Sequence, residues 1–277
     1  LYVDGTPTVS DAFFAGTSAG TESWHTVLIG TQGGGGRGLF ALDVTNPGSA
    51  TFREGNAANI VLWEFTNNQD SHLGYTYSRP TVALMNNGRW AVITGNGLED
   101  TATDGSGGKA QLFIIYLDGG TDGTWTYGSD YLRISTGSGS TSTRNGLFSP
   151  GVVDLDSNGT ADRIYAGDLN GNLWAFDVSN NTDNKWALAL NNQPLFSGNS
   201  GQAITTKPTV IRHPTVTDGS APNLMILFGT GRFLADSDKT RSNAQSFYGV
   251  WDNGTGGLAR SNLASQTFLL NDASKRA

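Results

Sequence analysis

The sequence predicts an all-β protein, a β-propeller of four-stranded antiparallel blades. Three observations carry this reading. A short apolar run led by a proline occurs four times, and each time the same order of three further strand-like runs follows it. The composition suits a turn-rich chain, with Gly 38 in 277 residues and only 15% charged residues. Repeated four-strand units joined by glycine-rich turns are the linear form of propeller blades, which cannot bury both faces alone and must cover one another.

The first strands are "GTPTV" (5–9), "SRPTV" (78–82), "FSPGVV" (148–153) and "TKPTV" (206–210). A proline lacks an N–H and is tolerated where a strand starts or runs along a free edge. The second strands end on glycine: "HTVLIGT" (25–31), "WAVITGN" (90–96), "DRIYAGD" (162–168) and "LMILFGTG" (224–231). The third are rich in aromatic and aliphatic residues and close on aspartate: "GLFALDV" (38–44), "QLFIIYLD" (111–118), "NLWAFDV" (172–178) and "SFYGVWD" (246–252). The fourth are weaker: "IVLWEF" (60–65), "YLRIS" (131–135), "PLFSG" (194–198) and "TFLLN" (267–271). A two-sheet sandwich would also show short strands and turns, but the constant order within each unit favours the propeller.

The units fall at about 1–70, 71–140, 141–200 and 201–277, in a single propeller domain or fragment of one. Propellers have about four to eight blades. The chain ends at "NDASKRA" without a strand to clasp the first blade, so the expectation is part of a larger or modified ring.

The formal charge of -7, with no cluster of Lys or Arg, leaves no electrostatic footprint for nucleic acid or an anionic membrane. Cys 0 excludes disulfides, thiolate metal sites and cysteine nucleophiles. No stretch approaches the roughly 18 apolar residues of a membrane span, so the chain is not read as a transmembrane protein. Residues 1–11 lack the regions of a signal peptide. The chain starts within a strand-like pattern, and its Ser/Thr/Gly/Asn-rich, Lys-poor composition suits an extracellular surface, so a piece of a longer exported protein is expected.

"VVDLDSNGTADRIYAGD" (152–168) sets Asp154, Asp156, Asn158, Thr160 and Asp162 at positions 1, 3, 5, 7 and 9 of a calcium loop, with Gly159 at position 6. A hard dication takes six to eight oxygens, position 7 contributes its main-chain carbonyl, and a glycine allows the sharp turn. Three carboxylates this close repel one another without a cation. Position 12, a bidentate glutamate in the helix-loop-helix form, is Tyr165 here. The loop is therefore read as a metal-held hairpin between the first two strands of the third unit, with Ca2+ preferred over Mg2+, which wants a smaller octahedral cage.

Other acidic stretches, "LEDTATDGSGG" (98–108), "LDGGTDGT" (117–124) and "LADSDKT" (234–240), lack that spacing and read as solvated loops. "TQGGGGRG" (31–38) has no Lys-Ser/Thr and leads into a strand, so it reads as a flexible loop rather than a phosphate cradle. His25, His72 and His213 lie in different units and read as scattered positions. Trp63, Trp90, Trp125, Trp174, Trp186 and Trp251 read as packing between blades. No nucleophile elbow occurs, and no acid-base pair stands out, so no catalytic residue is assigned.

The set "VDGTPTV", "GGGGRGLFALDVTNP", "LGYTYSRPTV", "RWAVITGNG", "DLDSNGTADRIYAGDLNGNLWAFDVS", "ITTKPTV", "ILFGTGRFLADSD" and "QSFYGVWDN", running from Val3 to Asn253, resembles the C-terminal β-propeller domain of the PilY/PilC family of type IV pilus biogenesis factors and tip adhesins. The resemblance implies a calcium loop that couples metal occupancy to pilus extension and retraction. It assigns as ligands Asp154, Asp156, Asn158, Asp162 and the carbonyl of Thr160. It also implies minor pilins or the pilus tip complex as partners, a host or abiotic surface as a further contact, and a location at the cell surface on the pilus tip. The family's propeller is usually longer, described as seven-bladed, and preceded by a variable region that carries much of the adhesive specificity.

Two other readings stand beside it. "IYAGDLNGNLWAFD" also resembles the blade repeat of quinoprotein dehydrogenases, which would bind pyrroloquinoline quinone in stoichiometric titration. An integrin-α-like propeller stiffened by calcium would carry several such hairpins, whereas one is present here.

Overall fold

The computed structural model describes residues 2–16, 21–199, 201–216 and 222–266. It is built of antiparallel sheets. β1 (Thr8–Phe14), β2 (Ser23–Thr31), β3 (Gly38–Asp43) and β4 (Val61–Thr66) form the first blade in that order. β5 (Thr81–Leu84), β6 (Trp90–Gly95), β7 (Lys109–Tyr116) and β8 (Tyr131–Gly139) form the second. The third holds β9 (Gly151–Val153), β10 (Arg163–Gly167), β11 (Asn172–Asp177), β12 (Ala187–Leu188) and β13 (Phe196–Ser197). The fourth holds β14 (Thr209–Arg212), β15 (Leu224–Gly229) and β16 (Phe247–Asp252).

Each leading proline immediately precedes its strand. Pro7, Pro80, Pro150 and Pro208 are followed by Thr8, Thr81, Gly151 and Thr209, the first residues of β1, β5, β9 and β14. The ring without an N–H thus sits just outside the ladder, where it breaks no hydrogen bond. These four strands lie side by side, β1 next to β5, β5 next to β9 and β9 next to β14.

The core sits between blades in three apolar layers. β7 shows why "LFIIY" (112–116) is apolar at every position. Phe113 and Ile115 face the first blade with Phe65 and Trp63, whereas Leu112, Ile114 and Tyr116 face the third with Ile164 and Trp174. Successive side chains of a strand point to opposite faces, and here both faces are covered. Tyr165, Leu173 and Phe196 of the third blade then meet Ile226, Phe228 and Tyr248 of the fourth. Among the described residues, the blades at the ends of the row are covered on one face only. On their outer faces Val9 is 58% exposed and Phe247 66%.

Several expectations are corrected. The first strand of unit one runs on to Phe14, well past residue 9. The outer strand of the third blade is split into β12 and β13, because Leu190, Asn191 and Asn192 all take left-handed backbone that no strand can continue through. β17 (Leu258–Ala259), from the fourth unit, crosses back and pairs in parallel with β13. The expected strand at 267–271 lies outside the described residues. The glycine stretch 31–38 is packed rather than loose: it forms a 3-10 turn at Gly33–Gly35 whose Gly34 N–H donates to the Asp4 carboxylate at 3.0 Å.

Candidate metal centre

Residues 154–162 connect β9 to β10, an antiparallel hairpin, as the spacing predicts. The tight path requires left-handed backbone at Ser157 (φ 64) and Gly159 (φ 93), so the glycine at position 6 meets a geometric need. Tyr165, at the position a helix-loop-helix site gives to glutamate, is fully buried in β10.

The hairpin brings Asp154, Asp156 and Asp162 together, with one carboxylate oxygen of each within 4.8 Å of the others. Two oxygens bound to one calcium at 2.3–2.6 Å can be at most about 5 Å apart, so this spread fits a single ion. The donor set also fits, since Asp154, Asp156, Asp162, the Asn158 amide and the Thr160 carbonyl offer only oxygens, the ligands of a hard cation.

Main-chain N–H groups hold the acidic side chains in place. Asp154 accepts from the N–H of Gly159 at 2.8 Å and of Ser157 at 2.6 Å. These bonds, the Gly159 one foremost, hold its carboxyl below the ordinary aspartate range. Asp156 accepts from the Asn158 side-chain amide nitrogen at 3.0 Å, and Asn158 Oδ1 accepts from the Thr160 N–H at 2.7 Å. Asp162 differs in being buried. One of its oxygens accepts from the Leu155 N–H at 2.7 Å and the other from the Asn86 amide at 3.0 Å.

Other polar groups escaped the sequence because their partners are distant in the chain. His72 is buried, with Nδ1 2.8 Å from Asp70 and Nε2 2.7 Å from Ser106 Oγ and 3.0 Å from Asp104. Asp70 in turn meets Arg133 at 2.7 Å. Ser106 Oγ also lies 2.7 Å from Asp104, so the cluster ties the 98–108 loop to the blade rather than presenting a free nucleophile. That loop is therefore not simply solvated, and neither is 234–240. Buried Asp100 accepts from the Gly108 N–H and pairs with Arg144, and buried Asp238 pairs with Arg232 and Arg241. The tryptophans behave as expected at Trp63, Trp174 and Trp186, which are buried, and at Trp90 and Trp125, which pack against the first core layer.

No helix among the described residues is long and apolar enough to cross a membrane. Residues 1–270 match the family model described as the PilY1 beta-propeller domain. The chain is 40% identical over 301 residues to the type IV pilus biogenesis factor PilY1 of Pseudomonas aeruginosa strain PAO1, covering 98% of this chain and 23% of that protein. It is 36% identical over 290 residues to a PilY1 homolog of Xylella fastidiosa, covering 98% of this chain and 18% of that one. The crystal structure of the Pseudomonas aeruginosa PilY1 C-terminal domain superposes with a TM-score of 0.75 at 38% identity, over 95% of this chain and 52% of that one. The chain thus spans about a quarter or less of its curated relatives' length. By sequence along nearly its whole length, and by fold, it belongs to the PilY1 β-propeller domain family.

Proposed function

We propose that this chain is the calcium-binding propeller portion of a type IV pilus biogenesis factor. It acts without catalysis in pilus extension and retraction and in surface adhesion. The observation that carries the metal part is the convergence of the Asp154, Asp156 and Asp162 carboxylates within 4.8 Å in an all-oxygen hairpin. The pilus part rests on the relatives, which are type IV pilus biogenesis factors. The four units are read as one propeller domain, part of a larger ring that covers the apolar outer faces of the first and fourth blades.

In this reading Asp154, Asp156, Asn158, Asp162 and the Thr160 carbonyl hold Ca2+, which supplies the positive charge that lets three carboxylates share one small volume. Asp156 is exposed, so its order depends on the ion, whereas buried Asp162 is already oriented. Loaded and empty loops thus present different surfaces, a local switch at the pilus tip outside the cell. The partners are minor pilins or the tip complex, with a host or abiotic surface as the adhesive contact. The test is calorimetric titration with Ca2+. Binding that disappears in Asp162→Ala while the circular dichroism spectrum stays β-rich supports the reading, and unchanged affinity in that variant rejects the ligand set. The same substitution in the full-length gene should alter twitching motility.

A further inference from the structure

From the contacts of Asn86 we infer that this residue, in the second blade, is a positioning residue for the metal loop of the third, so that calcium occupancy is coupled across the blade junction. The inference rests on the calcium reading above.

Asn86 lies in the tight turn between β5 and β6, closed by the Gly88 N–H donating to the Met85 carbonyl at 2.9 Å. Its amide nitrogen donates to three oxygens of the third blade: the Ala161 carbonyl at 2.7 Å, Asp162 Oδ1 at 3.0 Å and the Val178 carbonyl at 3.2 Å. Its amide oxygen accepts from the Thr160 hydroxyl at 2.9 Å. One side chain therefore touches two of the five ligand residues and the peptide between them. The main chain joins there too, since the Ala161 N–H donates to the Leu84 carbonyl at 2.8 Å.

The geometry fixes both oxygens of Asp162, one by Leu155 and one by Asn86. An N–H donor keeps a carboxylate aimed, which is what an outer partner of a metal ligand does. A side-chain amide donates to the carboxylate from its nitrogen while its oxygen accepts from the threonine hydroxyl, and glutamine, the other amide, is longer by one methylene. On the far side of the loop Arg212 of the fourth blade donates to the Leu155 carbonyl at 3.1 Å, beside a cleft of about 130 Å³ lined by Asp154, Val210 and Ile211. The exit of the loop is thus tied to the second blade by several hydrogen bonds, and its entrance to the fourth by one long side chain.

The test uses the 277-residue chain and Ca2+ alone. Asn86→Ala should raise the calorimetric Kd about tenfold, the lower end of the effect of removing an outer-shell partner. Thr160→Val, which keeps the ligand carbonyl and removes the hydroxyl bonds to Asn86 and to the Asn158 side chain, should weaken binding in the same direction even if Asn86→Ala fails to fold. Hydrogen exchange on the unsubstituted chain should show Ca2+ protecting the 85–88 turn together with 154–162. A Kd within twofold of the unsubstituted chain in both variants, or protection that stops at the loop, overturns the inference and leaves the calcium reading intact. Absence of binding by the unsubstituted chain at millimolar Ca2+ overturns both.

Discussion

The hydroxyl of Thr8 donates to the main-chain carbonyl of Pro80 at 2.9 Å, so the first residue of one inner strand is tied to the proline that leads the next. The same bond recurs one blade on, from Thr81 to the Pro150 carbonyl at 3.2 Å. At the third junction the position is Gly151, where a Cβ would come within 2.8 Å of the Pro208 carbonyl oxygen. The "P-T-V" repeat is therefore a junction device, and its one glycine marks where the blades approach too closely for a side chain.

Thr8→Val should destabilise the fold by about 1 kcal/mol, since the change keeps the shape and strips the Pro80 carbonyl of its donor. Gly151→Ala should also destabilise, because the obstructing atom is main chain and cannot swing away. Thermal unfolding of the two variants measures both effects.

Asp252 is fully buried at the junction of the third and fourth blades, where it accepts from Arg163 at 3.0 Å and from the Tyr165 hydroxyl at 2.6 Å. Desolvation, then the nearby Asp252 charge, push the Tyr165 phenol well above its ordinary range, so it stays a donor at any physiological pH. Asp252→Ala leaves a buried guanidinium unpaired and should cost about 3–5 kcal/mol. Tyr165→Phe removes one bond to a charged acceptor and should cost about 1.5–3 kcal/mol. Urea unfolding midpoints should rank Asp252→Ala below Tyr165→Phe.

Calcium binding to the folded state alone should raise the unfolding temperature, by an amount corresponding to about 2.7 kcal/mol when free Ca2+ is 100 times its Kd. Chelation should reverse the rise in the unsubstituted chain and change nothing in Asp162→Ala. Differential scanning calorimetry with and without a chelator reads this out.

Bonds from the Ser106 hydroxyl and N–H, slightly opposed by desolvation and assisted by His72, lower the Asp104 carboxyl from 3.8 to about 2. A folded value below the unfolded one stabilises the protein at neutral pH, and that contribution is lost as pH falls from about 4 towards 2. The stability gap between the unsubstituted chain and Asp104→Asn should therefore be constant above pH ~4 and shrink below it. Denaturant titrations across that range check the sign.

Repeat order, blade strands and the hairpin with its alternate acidic residues were legible in the sequence because they are local. The unbroken apolar run "LFIIY" reports two buried faces, a proline before each first strand reports where a ladder begins, and alternate oxygens around Gly159 report a loop that turns inward. Tertiary structure alone decided what each blade leans on. Asn86 is 74 residues from Thr160, His72 is 34 from Ser106, and Tyr165 is 87 from Asp252. No periodicity in a chain encodes a hydrogen bond between side chains that meet only when separate sheets pack. The return of β17 to the third blade was hidden for the same reason, since it depends on which edge that sheet leaves open.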